Sequence, residues 1–263
     1  MHWISEEKSL AAVLASLTLI TAAMGSPVKF PSAGVRITKR NVSAVDKVVP
    51  AGNDIELECK ANGPTPPLIH WLYNGEHVEQ SPLDHLSSNL MAPGNFPNDR
   101  SQNYYASVST LIIKETDSSK AGIYTCVADL EDERQTKSFN IQVTQPLLGD
   151  DSSQQIKRTE AIDEDPRIYL YTEQVYEFEG VSTQLICRAT QGFNKPPPSI
   201  TWTINDQPIT NNTAGFQLMS NGDLKILRTS NVLHMAEVKC IAVGSNGKTD
   251  VRKPFIYMYE PTE

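Results

Sequence analysis

Cys59-Lys-Ala-Asn-Gly-Pro-Thr-Pro-Pro-Leu-Ile-His-Trp71, answered 55 residues beyond the tryptophan by Gly122-Ile-Tyr124-Thr-Cys126, is the stretch that decides the fold. Two cysteines bracket one tryptophan, and a tyrosine stands two residues before the second cysteine. Two facing sheets can be clamped through their middles by one disulfide, with an indole packed on the sulfurs and a tyrosine hydroxyl tying the corner into the second cysteine strand. The flanking pattern agrees. Ile55, Leu57 and Cys59 alternate with polar residues as a half-buried strand does, and Gly63, Pro64 and Pro66 turn the chain. Asn74-Gly75 then predicts a tight hairpin, because both central positions favour a positive φ.

The same register returns in the second half. Gly180 precedes Cys187 by seven residues, as Gly52 precedes Cys59; Trp202 is followed at +3 by Asn205 and at +7 by Ile209, where the first half has Asn74 and Val78. Leu111-x-Ile113-x-x-Thr116 recurs as Leu224-x-Ile226-x-x-Thr229, launched by the turn Asn221-Gly222-Asp223. A period of this length marks a tandem of one module. Both halves resemble intermediate-set immunoglobulin domains, which implies an all-β chain of two tandem β-sandwiches. Two positions depart from that pattern. Lys120 stands where the family has an aspartate six residues before Cys126, and His234, Ala236 and Val238 leave the second half without a tyrosine corner, so a looser turn is expected there.

The domain plan reads as a signal peptide over 1–25, an N-terminal arm over 26–44, a first sandwich over 45–144, a flexible linker over 145–165 and a second sandwich over 166–259. Leu10 to Met24 is an apolar run too short to span a bilayer and ends in small residues, as a secretory leader does. The linker is rich in Asp, Glu, Ser and Gln, with too little apolar surface to offset the entropy of ordering it. Limited proteolysis there is expected to release two folded halves.

Four cysteines in an exported chain are most simply two disulfides. Of three pairings, Cys59 with Cys126 and Cys187 with Cys240 lets each pair bracket its own tryptophan. Closed loops of 67 and 53 residues are worth roughly 4 kcal/mol each on the chain-entropy account. The sequons Asn41-Val42-Ser43 and Asn211-Asn212-Thr213 predict glycans at Asn41 and Asn211, both facing water. The formal charge of −8, from 23 basic and 31 acidic residues, argues against nucleic acid or an anionic membrane as the main partner.

No catalytic constellation is legible. The five histidines show no metalloprotease spacing, and there is no nucleophile elbow or phosphate loop, so neither an enzyme nor a metal or cofactor site is expected. The more informative feature is a surplus of 17 residues between Trp71 and Cys126, relative to the 38 from Trp202 to Cys240. It falls mainly between Glu79 and Gln102 and carries Leu86, Leu90, Met91 and Phe96 among prolines and serines. Such a segment either packs on its own sandwich or meets a partner.

Pro166-Arg167-Ile168-Tyr169, Tyr171-Thr172-Glu173 and Asn221-Gly222-Asp223-Leu224, together with the two-domain plan, resemble the nematode zwei-Ig proteins and a related insect secreted two-immunoglobulin protein. The resemblance implies a secreted, extracellular binding protein. The nematode members are associated with holding axons and neuronal cell bodies in position, through adhesion receptors of the immunoglobulin class; the insect relative sequesters insulin-like peptides, which supplies the alternative partner.

Overall fold

The computed structural model describes residues 36–37, 45–81, 103–130, 133–144, 165–191 and 195–259. The segments read as leader, most of the arm, the linker up to 164, and the surplus stretch from 82 to 102 lie outside the described residues.

The first sandwich is built from β1 (Arg36–Ile37), β2 (Val45–Pro50), β3 (Ile55–Gly63), β4 (Leu68–Tyr73), β5 (Glu76–Val78), β6 (Tyr104–Ile113), β7 (Gly122–Leu130) and β8 (Glu133–Thr144). The second uses β9 (Arg167–Phe178), β10 (Thr183–Leu185), β11 (Cys187–Thr190), β12 (Ser199–Ile204), β13 (Gln207–Ile209), β14 (Phe216–Leu218), β15 (Leu224–Ile226), β16 (Val238–Val243), β17 (Thr249–Arg252) and β18 (Phe255–Tyr259). One layer of the first sandwich runs β2-β8-β7-β4-β5, and its counterpart in the second runs β13-β12-β16-β17. The stretch read as an arm contributes to the fold at Arg36–Ile37, which pairs with β3 and sends Ile37 into the first core.

The expected pins are visible in both halves. Cys59 is bonded to Cys126 and Cys187 to Cys240, with Cα atoms 6.4 and 6.5 Å apart, and Trp71 and Trp202 are fully buried beside them. Asn74-Gly75 turns β4 into β5 with φ of 48° and 93°. The repeated glycine and threonine also have one physical role in each half. Gly52 and Gly180 take φ of 83° and 84°. The buried Thr116 hydroxyl donates to the Pro50 and Asn53 carbonyls, and Thr229 does the same to Phe178 and Val181. Each threonine thus ties the end of one strand to the glycine turn that opens another.

The remaining layers of the two sandwiches are joined. β6 and β9 pair antiparallel from Tyr104↔Tyr176 to Ser109↔Leu170, with a bulge between Ala106 and Ser107, so that one sheet runs β1-β3-β6-β9-β11. The other edge of β9 pairs first with β11 and then, in parallel, with β18. The seam also exchanges side chains: Tyr169, Leu170 and Ile186 bury in the first core, and Tyr105 buries in the second. Fully burying a side chain of this size contributes about 1.5–3 kcal/mol. Release of two independent halves by cutting between them is therefore not expected of this fold; the two sandwiches share a sheet and parts of each other's cores.

Candidate functional site: the groove between the sandwiches

Leu170 and Arg188, paired across β9 and β11, face the side of the shared sheet that carries the first core there, and a groove opens over them. Its floor is Tyr169, Leu170 and Arg188 from β9 and β11. A hollow of about 190 Å3 opens between that floor and the β4–β5 hairpin, which contributes Leu68, His70 and His77. A second hollow of about 220 Å3 opens on the other side of Tyr169 and Arg188, against Ile200, Met219 and Asn221.

The second wall rests on a buried polar knot. Asp223 is fully buried; its Oδ2 accepts from Arg188 Nη2 at 3.1 Å, Gln184 Nε2 at 2.8 Å and Asn221 Nδ2 at 3.0 Å, and its Oδ1 accepts from the Cys187 amide at 3.0 Å. A buried carboxylate is tolerated only when it is paired and hydrogen-bonded in this way. Gly222 has φ of 97° and its Cβ position lies 2.6 Å from the Cys187 carbonyl, so only glycine fits; its own carbonyl accepts from the Trp202 indole at 2.9 Å. The Asn221-Gly222-Asp223 motif thus fixes Arg188, and with it the groove floor.

The first wall carries the histidines. His70 Nδ1 stands 3.2 Å from Asp129 Oδ2, Asp129 Oδ1 accepts from Arg134 Nε at 2.7 Å, and the His70 and His77 rings stack with centroids 5.5 Å apart. Burial lowers the His70 pKa, Asp129 opposes that shift, and His77 and Arg134 reinforce it. Asp129 is held between His70 and Arg134. Among the described residues no three His, Cys, Asp or Glu side chains come together as a metal site. The hollow beside β4–β5 is mainly apolar and the one beside Asn221 mixes apolar and polar groups, a lining that suits retention of a protein or peptide side chain.

A second surface lies on the opposite face of the shared sheet. Tyr176 has Tyr104 and Tyr257 each at 5.7 Å, Phe255 at 6.0 Å and Tyr259 at 6.5 Å, and His234 packs edge-on to Tyr257 at 4.6 Å. This aromatic cluster straddles the seam. The alternation Phe255-x-Tyr257-x-Tyr259 and Tyr176-x-Phe178 carried its signal, but only the pairing of β6, β9 and β18 brings the rings together.

Asn211 is exposed in the turn before β14, where the Thr213 hydroxyl accepts from the Thr210 amide at 2.9 Å. Asn41, Leu86, Leu90, Met91 and Phe96 lie outside the described residues.

Residues 36–129 match the family model described as immunoglobulin domain. The zwei Ig domain protein zig-4 of Caenorhabditis elegans is 27% identical over 212 residues, covering 80% of this chain and 75% of that protein. Human hemicentin-1 is 28% identical over 202 residues, 77% of this chain, but the chain spans only 3% of hemicentin-1. Among solved structures, neural ectodermal development factor IMP-L2 superposes with a TM-score of 0.57 at 22% identity, covering 86% of this chain and 95% of that one. The two-immunoglobulin resemblance read from the sequence is borne out, and the superposition extends the shared fold across both sandwiches. No helix among the described residues is long and apolar enough to cross a membrane.

Proposed function

We propose that this immunoglobulin-domain chain, similar along most of its length to zig-4, is a secreted binding protein that helps hold axons and neuronal cell bodies in position by engaging adhesion receptors of the immunoglobulin class. The observation that carries the reading is the extent of the zig-4 match, which takes in three quarters of that protein, both sandwiches included. Immunoglobulin modules act by presenting surfaces on a rigid scaffold, and the partner is set by the site, not by the fold. The groove and the aromatic face supply two such surfaces, and Leu86, Leu90, Met91 and Phe96 are proposed as further apolar anchors.

Affinity capture tests the proposal. The purified chain is offered ectodomains of immunoglobulin-class adhesion receptors and, separately, insulin-like peptides. Retention of a receptor ectodomain supports the reading; retention of an insulin-like peptide alone replaces it with the sequestering role.

A further inference from the structure

We propose that His70 and His77 form a proton-operated element in the groove wall: when both rings are protonated they repel, and the β5 edge loosens from β4. β5 is three residues long and is held by the register Trp71↔Val78, Leu72↔His77 and Tyr73↔Glu76. Its central residue carries one of the two stacked imidazoles, the other standing on β4. A like-charged pair at that spacing therefore acts directly on a short ladder at the sheet's edge.

The groups facing the pair set the direction. From β7, Asp129 stands 3.2 Å from His70 and favours its charged form. From β8, Arg134 is bound to the same carboxylate at 2.7 Å and disfavours that form. Across the groove stands Arg188, paired with Asp223 at 3.1 Å, with Tyr169 beside it. Glu76 and Glu79 flank His77 in sequence and are exposed. Burial is the largest influence on His70 and lowers its pKa. As pH falls below about 6.5, an opened hairpin binds the proton more readily than the closed one. Stability of the closed β4–β5 hairpin is therefore full above that pH and is lost as pH falls toward the depressed pKa of His70. The consequence is a groove whose first wall relaxes on mild acidification, whatever occupies it.

NMR titration of the histidine rings and hydrogen exchange of the β5 amides test this in the full chain, on wild type and on His77→Gln, a change at an exposed position. Corrected for the intrinsic pH dependence of exchange, wild-type protection in β5 should fall at least about threefold between about pH 7.5 and pH 5.5, and His77→Gln should remove most of that fall. The His70 midpoint should rise in His77→Gln and drop further in Asp129→Asn. A His70 midpoint indifferent to residue 77, or β5 protection that falls equally in both proteins, overturns the proposal.

Discussion

In the first sandwich the buried indole of Trp71 donates to a side chain, the Ser109 hydroxyl on β6, at 3.0 Å; in the second, Trp202 donates to the Gly222 carbonyl in the turn before β15. The corners differ as well. Tyr124 donates to the Lys120 carbonyl at 2.9 Å, and the Lys120 ammonium, standing where the family carries aspartate, donates to the Lys114 and Glu115 carbonyls. The second sandwich has no such tyrosine, yet its turn is not loose. His234 Nδ1 lies 3.1 Å from the Met258 carbonyl and 3.3 Å from its amide, and the Met235 amide donates to the Ile256 carbonyl, so the turn is pinned to β18. The disulfide, the tryptophan and the threonine tie repeat because the sandwich needs them. What the indole and the corner bond to is free to vary, and in the second sandwich that freedom is used to build the groove floor and the aromatic face.

The largest expected contrast is at the position before the shared Leu-x-Ile. Asp223→Ala removes the buried acceptor shared by Arg188, Gln184, Asn221 and the Cys187 amide and should cost roughly 3–5 kcal/mol. Thr110→Ala, at the matching offset in the first sandwich, should stay within about 0.5 kcal/mol. Equilibrium denaturation of the two variants measures both, and similar losses would remove the polar knot as the distinguishing feature.

Next in size is the seam. The Tyr105 hydroxyl donates to the buried Glu177 carboxylate and lies 2.6 Å from the Thr183 hydroxyl, while Asn103 Nδ2 donates to the same carboxylate at 3.2 Å. Tyr105→Phe should cost about 2 kcal/mol, because it takes a donor from a charged group that water does not reach. Calorimetry should show one transition for wild type and for this variant. Two separate transitions in wild type would mean that the sandwiches do not share their stability.

A smaller effect tests where the halves agree. Thr116→Val and Thr229→Val should each cost about 1–2 kcal/mol, since each removes a buried hydroxyl that donates to two carbonyls at the glycine turn. Thr229 should lie at the upper end, because its hydroxyl also accepts from the Val181 amide at 3.1 Å. Thermal melts of the pair decide it, and a difference of several-fold would mean that the repeated threonine is not one device used twice.

The sandwich was legible because its signals are local or singular. Period-two alternation marks β3, Asn74-Gly75 marks the β4–β5 hairpin, and four cysteines that bracket Trp71 and Trp202 in two pairs favour one pairing. The seam was not legible. Which edge β9 joins depends on pairing between residues 61 to 72 apart, and the apolar character of Tyr169 and Leu170 is equally consistent with burial in their own core. Asn221-Gly222-Asp223 reads as a turn in sequence, and only the fold reveals that its aspartate is buried against Arg188. The lost tyrosine corner misled in the opposite sense: an absent hydroxyl is visible in sequence, whereas its replacement by His234 depends on β18 passing beside it.

The finest test separates the two corners by their titration. Burial pushes the Tyr124 hydroxyl up to about 12, with the nearby Tyr73 and Asp117 adding to it, and Tyr259 on β18 is likewise pushed up to about 12. An unfolded tyrosine ionises near 10. Between those values the unfolded chain has already released a proton that the folded chain retains, so stability contributed by the neutral phenol is full below about pH 10 and is lost as pH rises toward 12. Tyr124→Phe should cost only about 1 kcal/mol at neutral pH, the value of one corner hydrogen bond. In a rapid alkaline titration followed by tyrosinate absorbance, it should remove one phenol from the late-ionising group while leaving Tyr259 in place. No change in the late group would mean that Tyr124 ionises freely and that the first corner is held by Lys120, Asp117 and the strand pairing around them, as the second is held by His234.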